Sequence, residues 1–429
     1  MQATDGRSIA VIGSGVAGLT AAYLLSARDR VTLYEADTRL GGHAHTHLVD
    51  DGDGQETAVD TAFLVHNDRT YPTLCRLFAQ LGIATQESDM SMSVRADDLE
   101  YAGALGVKGL FACRQSLRPR YLLMLAEILR FHRAATRLLR EEDDDLETLD
   151  VFLRRHAFSS YFIEYFITPL VAAVWSCAGD DALRYPARYL FVFLDHHGML
   201  SVFGSPTWRT VTGGSATYVQ AIAARLDEVL TGTPVRSLRR APDGVEVRAG
   251  DGPPRTFDAA VVAVHPDQAL LLLDEPTRWE RAVLGAIPYS TNRAQLHTDE
   301  SVLPRHRRAR ASWNYLVTPG HEQVVVSYDI SRLMRLNGRR RFLVTLGGHD
   351  WVEPSSVLAE MTYSHPLYTP ESVAAQRLLP TLDDDRVVFA GAYHGWGFHE
   401  DGAASGVRAA QQLGADWPAV PGREAVLTC

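Results

Sequence analysis

The sequence predicts an α/β protein: a parallel-sheet domain split into three pieces, with an α+β domain interleaved between them. Three observations predict it. A glycine-rich turn joins a short apolar strand to an apolar helix near the N-terminus, a second glycine pair follows the next strand, and strand-then-helix text returns near the C-terminus. The chain has 429 residues, 46% of them apolar, enough for large cores in two or three domains of roughly 150 residues. Acidic residues (52) outnumber basic ones (42), a balance of −10 that argues against a nucleic-acid partner.

The opening reads Ser8-Ile-Ala-Val-Ile12, then Gly13-Ser-Gly15-Val16-Ala17-Gly18, then Leu19 to Leu25, then Val31-Thr-Leu-Tyr-Glu35-Ala36. This is strand, glycine turn, helix, strand. Gly13 permits the tight turn, Gly15 lets a pyrophosphate approach the backbone, and Gly18 lets helix and strand pack closely. Val16 and Ala17 begin the helix, whose free N–H groups face the phosphates. Glu35 follows on the order of 20 residues after Gly13, where an acid accepts from a ribose hydroxyl and repels a 2′-phosphate. The whole pattern points to a dinucleotide site of the Rossmann type.

Next comes Arg39-Leu-Gly41-Gly42-His43-Ala-His-Thr46, which NAD dehydrogenases do not need. It points to FAD. The segment resembles the Arg-x-Gly-Gly-Arg-x-x-Ser/Thr text of the amine-oxidase and phytoene-desaturase superfamily, with His43 in place of the second arginine. The resemblance covers most of the chain and implies a glutathione-reductase-type FAD-binding domain. Trp208 to Ser215 precedes an amphipathic helix expected over Tyr218 to Val229. A strand from Val235, a hairpin through Asp243-Gly244, and Phe257 to Val264 look like its second nucleotide block, with the Val235 backbone against the adenine. Val387 to Gly391, then Asp401, Gly402 and Ala403, look like its last strand and a helix opening at Gly402, whose N-terminus approaches the flavin and stabilises negative charge on the reduced ring.

Within the superfamily the chain is similar to a bacterial branch of FAD oxidoreductases associated with cyclopropane-fatty-acid-synthase-like methyltransferases. The matching text includes Asp60 to Asn67, Thr70-Tyr-Pro72, Trp175-Ser176, His197 to Leu200, Ala311 to Tyr315 and Gly391 to Gly402. The branch usually has glycine at Ala62, tyrosine at His66, asparagine at His196 and an aromatic at His394. Where these changes line the pocket, the substrate differs from the branch norm.

Interleaving sets the expected domains: FAD-binding at 1–98, 205–288 and 382–420, substrate-binding at 99–204 and 289–381. The first insertion holds the arginine-rich stretch Arg118 to Arg140, an acidic run Glu141 to Asp145, and the apolar segment Tyr161 to Trp175. The second holds β-like runs such as Val324 to Tyr328 and Phe342 to Leu346, suited to a mixed sheet roofing the flavin. Cys75, Cys113, Cys177 and Cys429 form no Cys-x-x-Cys pair, so neither a zinc framework nor a disulfide scaffold is expected. No signal peptide is read at the N-terminus, and a cytoplasmic location is expected. Tyr165 to Gly179, the longest uncharged apolar stretch, is too short to span a bilayer and contains Pro169.

His43, His45 and His47 alternate and would share one face of a strand, but the glycine-pair motif already explains them, and no metal is expected. The candidates for the substrate side of the flavin are His197, Tyr393, His394, Trp396 and His399, from segments adjoining the flavin helix. Asp60 and Glu400 are read as braces for backbone or flavin, and Asp401 as a helix cap or a flavin contact. Tyr121 to Arg133 is apolar nearly all round with arginines interspersed; it reads first as a core helix, and second as a helix lying on a membrane or gating lipid entry.

Together these imply an FAD-dependent oxidoreductase, its flavin noncovalent, that takes a hydride from an apolar substrate such as an unsaturated or branched acyl chain, polyene or isoprenoid. An alternative is a flavin-dependent double-bond isomerase without net redox change. Amine oxidation ranks behind, because the flavin-facing lysine common in amine oxidases is absent unless it is Lys108, the only lysine in the chain. A non-enzymatic role as flavin-binding partner of a lipid-modifying methyltransferase ranks last.

Overall fold

The computed structural model describes residues 6–141, 146–201, 204–317 and 324–418. The first five residues, most of the acidic run and Cys429 lie outside them. Strand Ser8–Ile12 is the middle of a five-stranded parallel sheet, ordered Glu228–Leu230, Arg30–Tyr34, Ser8–Ile12, Ala259–Val262, Val387–Phe389. Its near-continuous apolar runs suit a sheet covered on both faces. Helix Val16–Leu25 is buried along its whole length, as its uniform apolarity requires. The C-terminal helix His399–Gln412 lies against it through small residues. A Cβ on Gly402 would come within 2.6 Å of Val16 Cγ1, and one on Gly406 within 2.3 Å of the Ala17 carbonyl.

A three-stranded antiparallel sheet (Val235–Ala241, Gly244–Ala249, Arg255–Phe257) flanks the nucleotide domain, with the expected hairpin turning at Pro242 and Asp243. The second domain is built on a seven-stranded mixed sheet running from Val357–Pro366 at one edge to Leu99–Ala102 at the other. Strand Met92–Ala96 belongs to this sheet, pairing parallel with Trp313–Leu316. The expected first block, 1–98, therefore crosses into the second sheet before its end. The helix expected over Tyr218 to Val229 stops at Ala223, because Glu228–Leu230 hydrogen-bonds instead to the free edge of Arg30–Tyr34, with Thr32 Oγ1 donating to Glu228 at 2.9 Å.

The first insertion is helical. Its long helix Pro119–Arg140 buries Tyr121, Met124, Phe131 and Ala135 on one face, against Phe152, Phe158, Phe162 and Phe191. The apolar segment Tyr161 to Trp175 is a helical run with one wide turn, Ile163–Ile167, ahead of helix Thr168–Trp175. Pro169 has no N–H to give the carbonyl four residues back, and that carbonyl, on Tyr165, accepts from Tyr101 at 2.6 Å instead. This bond ties the helical insertion to the mixed sheet. Among the described residues no helix is long and apolar enough to cross a membrane.

Candidate functional site

One cavity of about 1170 Å³ runs from the glycine turn into the helical insertion. That exceeds the roughly 300 to 1,000 Å³ typical of a pocket for one small ligand. At the nucleotide end, Gly15 precedes helix Val16–Leu25, whose first turn has neither a side-chain cap nor an acid, so its N–H groups keep their anion-binding character. A Cβ on Gly15 would meet nothing within 4 Å, whereas one on Gly42 would sit 3.2 Å from Gly15 Cα. The two glycine motifs thus lie back to back, and Gly15 looks onto open space. Gly41 donates to the Ser14 carbonyl and hydroxyl, and Arg39 holds the turn by donating to the Gly42 carbonyl at 2.8 Å. Glu35 accepts from Ser14 N–H at 2.9 Å and from Asp37 N–H at 2.8 Å, which orients its carboxylate at the strand end.

The middle of the cavity is bordered by Thr61, Phe63, Tyr71, Tyr363, His365, Tyr393 and His399. His399 stacks on Phe63, with ring centroids 3.8 Å apart, and its Nε2 lies 3.2 Å from the Tyr218 hydroxyl. The Tyr393 ring fills the space where Gly391 would carry a side chain, and its hydroxyl is buried without a partner. His43 Nε2 is likewise buried and unpartnered, its ring 5.2 Å from those of Tyr363 and His365. His197 is held at both nitrogens. Its Nδ1 donates to the Phe193 carbonyl at 2.9 Å, so Nε2 accepts from Thr70 at 3.2 Å.

Beyond these rings the walls are apolar: Leu110, Leu125, Ile128, Phe166, Leu170 and Val174. Among the described residues Glu35 is the only Asp, Glu, Lys or Arg on the cavity wall, and it lies at the nucleotide end. Burial and neighbouring histidines hold the imidazoles neutral, with His399 pushed down to about 3, His197 and His365 to about 4, and His43 well below its usual range. Among the described residues the wall of the far chamber carries no carboxylate, guanidinium or ammonium group.

The family model for flavin-containing amine oxidoreductases matches residues 16–414. The chain belongs to that family. FAD is its cofactor. In fold it is similar to the CLA-producing fatty acid isomerase from P. acnes, with TM-score 0.70 and 15% identity over 97% of this chain and all of that one. It is also similar to cyclohexylamine oxidase from Brevibacterium oxydans IH-35A, with TM-score 0.67 and 16% identity over 95% and 98% of the two chains. A stretch of 43 residues is 51% identical to protoporphyrinogen oxidase 2, chloroplastic/mitochondrial, from Arabidopsis thaliana, spanning 10% of this chain and 8% of the plant enzyme.

The residues of this family member fit the flavin dinucleotide: a helix N-terminus without an acid, a glycine facing open space, and two buried polar atoms, His43 Nε2 and the Tyr393 hydroxyl, without protein partners. Of the expected cofactor residues, Gly13, Gly15, Val16, Ala17, Glu35, Ala36, Gly42, His43, Val235 and Gly391 line the cavity. Gly18, Arg39, Gly41, Asp401, Gly402 and Ala403 do not. Gly18 lets the helix lie on the Gly13 carbonyl and Ala263, Arg39 and Gly41 shape the second turn, and Gly402 and Ala403 are buried in packing. The last helix begins at His399 rather than Gly402, because Asp401 reaches back to accept from Phe398 N–H at 2.9 Å and caps the turn.

Of the expected catalytic residues, His399, Tyr393 and His197 line the cavity, while His394 and Trp396 stand behind its wall. His394 lies against Arg408, with Nε2 3.4 Å from the guanidinium, and Trp396 donates to the Tyr189 carbonyl. His66, another departure from the branch pattern, is also off the wall, whereas Ala62 lines it. Both expected braces act on backbone. Asp60 accepts from Ser215 N–H and from Thr46, and Glu400 accepts from Thr73 and Leu74 N–H, capping helix Pro72–Leu81. His45 and His47 pair ring to ring at 4.1 Å outside the cavity wall, separated there from His43. Lys108 is exposed and off the wall. His265, Tyr289, Tyr363 and His365 also line the cavity and are not among the residues the sequence singles out; the alternation of Tyr363 and His365 on strand Val357–Pro366 is a signal for those two alone.

Proposed function

We propose that this flavoprotein removes a hydride from an apolar substrate, a long unsaturated or branched acyl chain or isoprenoid, with FAD held noncovalently. The observation that carries the reading is the uncharged chamber beyond the His399 and Tyr393 rings, walled by Leu125, Ile128, Phe166, Leu170 and Val174. When bound, flavin supplies a hydride acceptor. The chain supplies the surroundings. Apolar walls exclude water and align an extended hydrocarbon, while neutral imidazoles and the Tyr393 hydroxyl offer hydrogen bonds without adding charge.

Among the described residues an ammonium substrate would find no carboxylate in that chamber, and Lys108 lies outside it, which counts against amine oxidation. None of the three described cysteines lines the cavity, in keeping with noncovalent flavin. The test is anaerobic mixing of the holoprotein with dispersed unsaturated lipids, following flavin absorbance and product mass together. The expected result is bleaching with a product lighter by two hydrogens. Transient bleaching with unchanged mass would make the enzyme an isomerase, and bleaching by alkylamines alone would overturn the apolar-substrate reading.

A further inference from the structure

The cavity reaches a surface that carries several exposed apolar side chains. Leu129, on helix Pro119–Arg140, lines the cavity and is 46% exposed, so the cavity has an opening along this helix. The helix has three faces. Tyr121, Met124 and Phe131 are buried, Leu125, Ile128, Leu129 and His132 border the cavity, and Leu122, Leu123 and Ala126 point outward. The neighbouring segment leading into it adds Val107 at 73% exposure, Phe111 at 36% and Leu117 at 66%. The Phe111 ring packs 6.3 Å from that of Tyr121, and the Tyr121 hydroxyl donates to the Leu110 carbonyl, so this segment and the helix form one surface.

The same surface is basic. From residue 107 to 140 there are Lys108 and seven arginines against one acid, Glu127. That acid is buried and takes hydrogen bonds from Ser159 and Arg130. Arg114, Arg133 and Arg137 are exposed and make no ion pair among the described residues. A chain whose balance is −10 thus concentrates positive charge and bare leucine around the mouth of an uncharged chamber.

We propose that this face docks on an anionic phospholipid bilayer and that the chamber draws its hydrocarbon substrate from that bilayer, with the head group remaining at the basic rim. The second half rests on the apolar-substrate reading above; the docking does not. Exposed leucines enter the acyl boundary and arginines meet lipid phosphates, the combination that holds a protein on a charged membrane without a spanning helix. An uncharged interior with a basic mouth suits a chain whose polar end stays outside.

The test is flotation of the holoprotein with vesicles of phosphatidylglycerol and phosphatidylcholine in equal parts, against phosphatidylcholine alone. Binding is expected only to the anionic vesicles, weakened by salt, and reduced roughly tenfold in both Leu122→Ser/Leu123→Ser and Arg133→Gln/Arg137→Gln. These side chains lie off the cavity wall, so both variants should retain the wild-type melting temperature and flavin absorbance. Absence of vesicle binding by the wild type, or equal binding by the variants, would overturn docking. So would a wild-type dimer that the leucine variant converts to monomer, because the face would then be covered by a second copy. Vesicle binding without flavin reduction by any lipid would leave docking intact and overturn the substrate reading. Reduction by dispersed lipid without vesicle binding would do the reverse.

Discussion

His399 and Phe63 stack face to face, 3.8 Å between ring centroids and 7° between planes, and so join the last helix to the loop after strand Glu56–Asp60 at the centre of the cavity. Half-buried in this stack, the imidazole is pushed down by desolvation to about 3 and stays neutral at physiological pH. His399→Ala should slow flavin reduction about tenfold, about 1.4 kcal/mol of barrier, while FAD remains bound. The ratio of wild-type to variant rates should not change between pH 5 and 9, since His399 titrates below that window. Stopped-flow reduction across pH checks both statements; a ratio that collapses near pH 6.5 would mean a solvated, titrating histidine.

Two glycines separate binding from packing. Gly15 has extended dihedrals and open space before it, so Gly15→Val should lose bound flavin and melt where the flavin-free wild type melts. Gly406 lies against the Ala17 carbonyl, so Gly406→Val should destabilise the fold by about 3 kcal/mol through overpacking. Thermal unfolding and visible absorbance on the same samples would expose any exchange of these two phenotypes.

Asp401 is half-buried, and desolvation raises its carboxyl to about 7 despite its accepting from Phe398 N–H. The unfolded chain holds the group near 3.9, so the folded state binds the extra proton between those values. Its contribution to stability is full below pH 4 and lost as pH rises through 7, by up to about 4 kcal/mol at about 1.4 kcal/mol per unit. Asp401→Asn keeps an acceptor for the cap and loses the titration. The variant should match the wild type at pH 4 and exceed it in denaturant midpoint at pH 8; parallel curves across that range would contradict the assignment.

Lys108 is exposed on a short helix of the first insertion, away from the cavity wall. Lys108→Met should leave the flavin reduction rate unchanged in single-turnover measurements. A large loss would restore a flavin-facing lysine and, with it, amine chemistry.

Much of the nucleotide end was legible because it is local. A strand, three glycines and a helix need only their own residues to make a tight turn, and the second glycine pair at Gly41 and Gly42 has positive φ that few other residues tolerate. The substrate side was less legible. Between Gly391 and Glu400 the sequence offers Tyr393, His394, Trp396 and His399 on equal footing, yet one tight turn over Ala392–His394 sends Tyr393 inward and His394 toward Arg408. The Asp401 cap then starts the helix early enough to put His399 on the wall.

By itself the sequence determined the dinucleotide turn, the flavin motif, the interleaved order of the blocks and the absence of any lysine but one, because each depends on neighbours in the chain. Only the tertiary structure decided that Met92–Ala96 joins the second sheet, that Glu228–Leu230 is a strand, and that Asp60 and Glu400 hold backbone from distant segments. It also decided which side of helix Pro119–Arg140 is core, cavity and surface. The reason is physical: an edge strand or an apolar helix face takes its role from what packs against it, and those partners lie far along the chain.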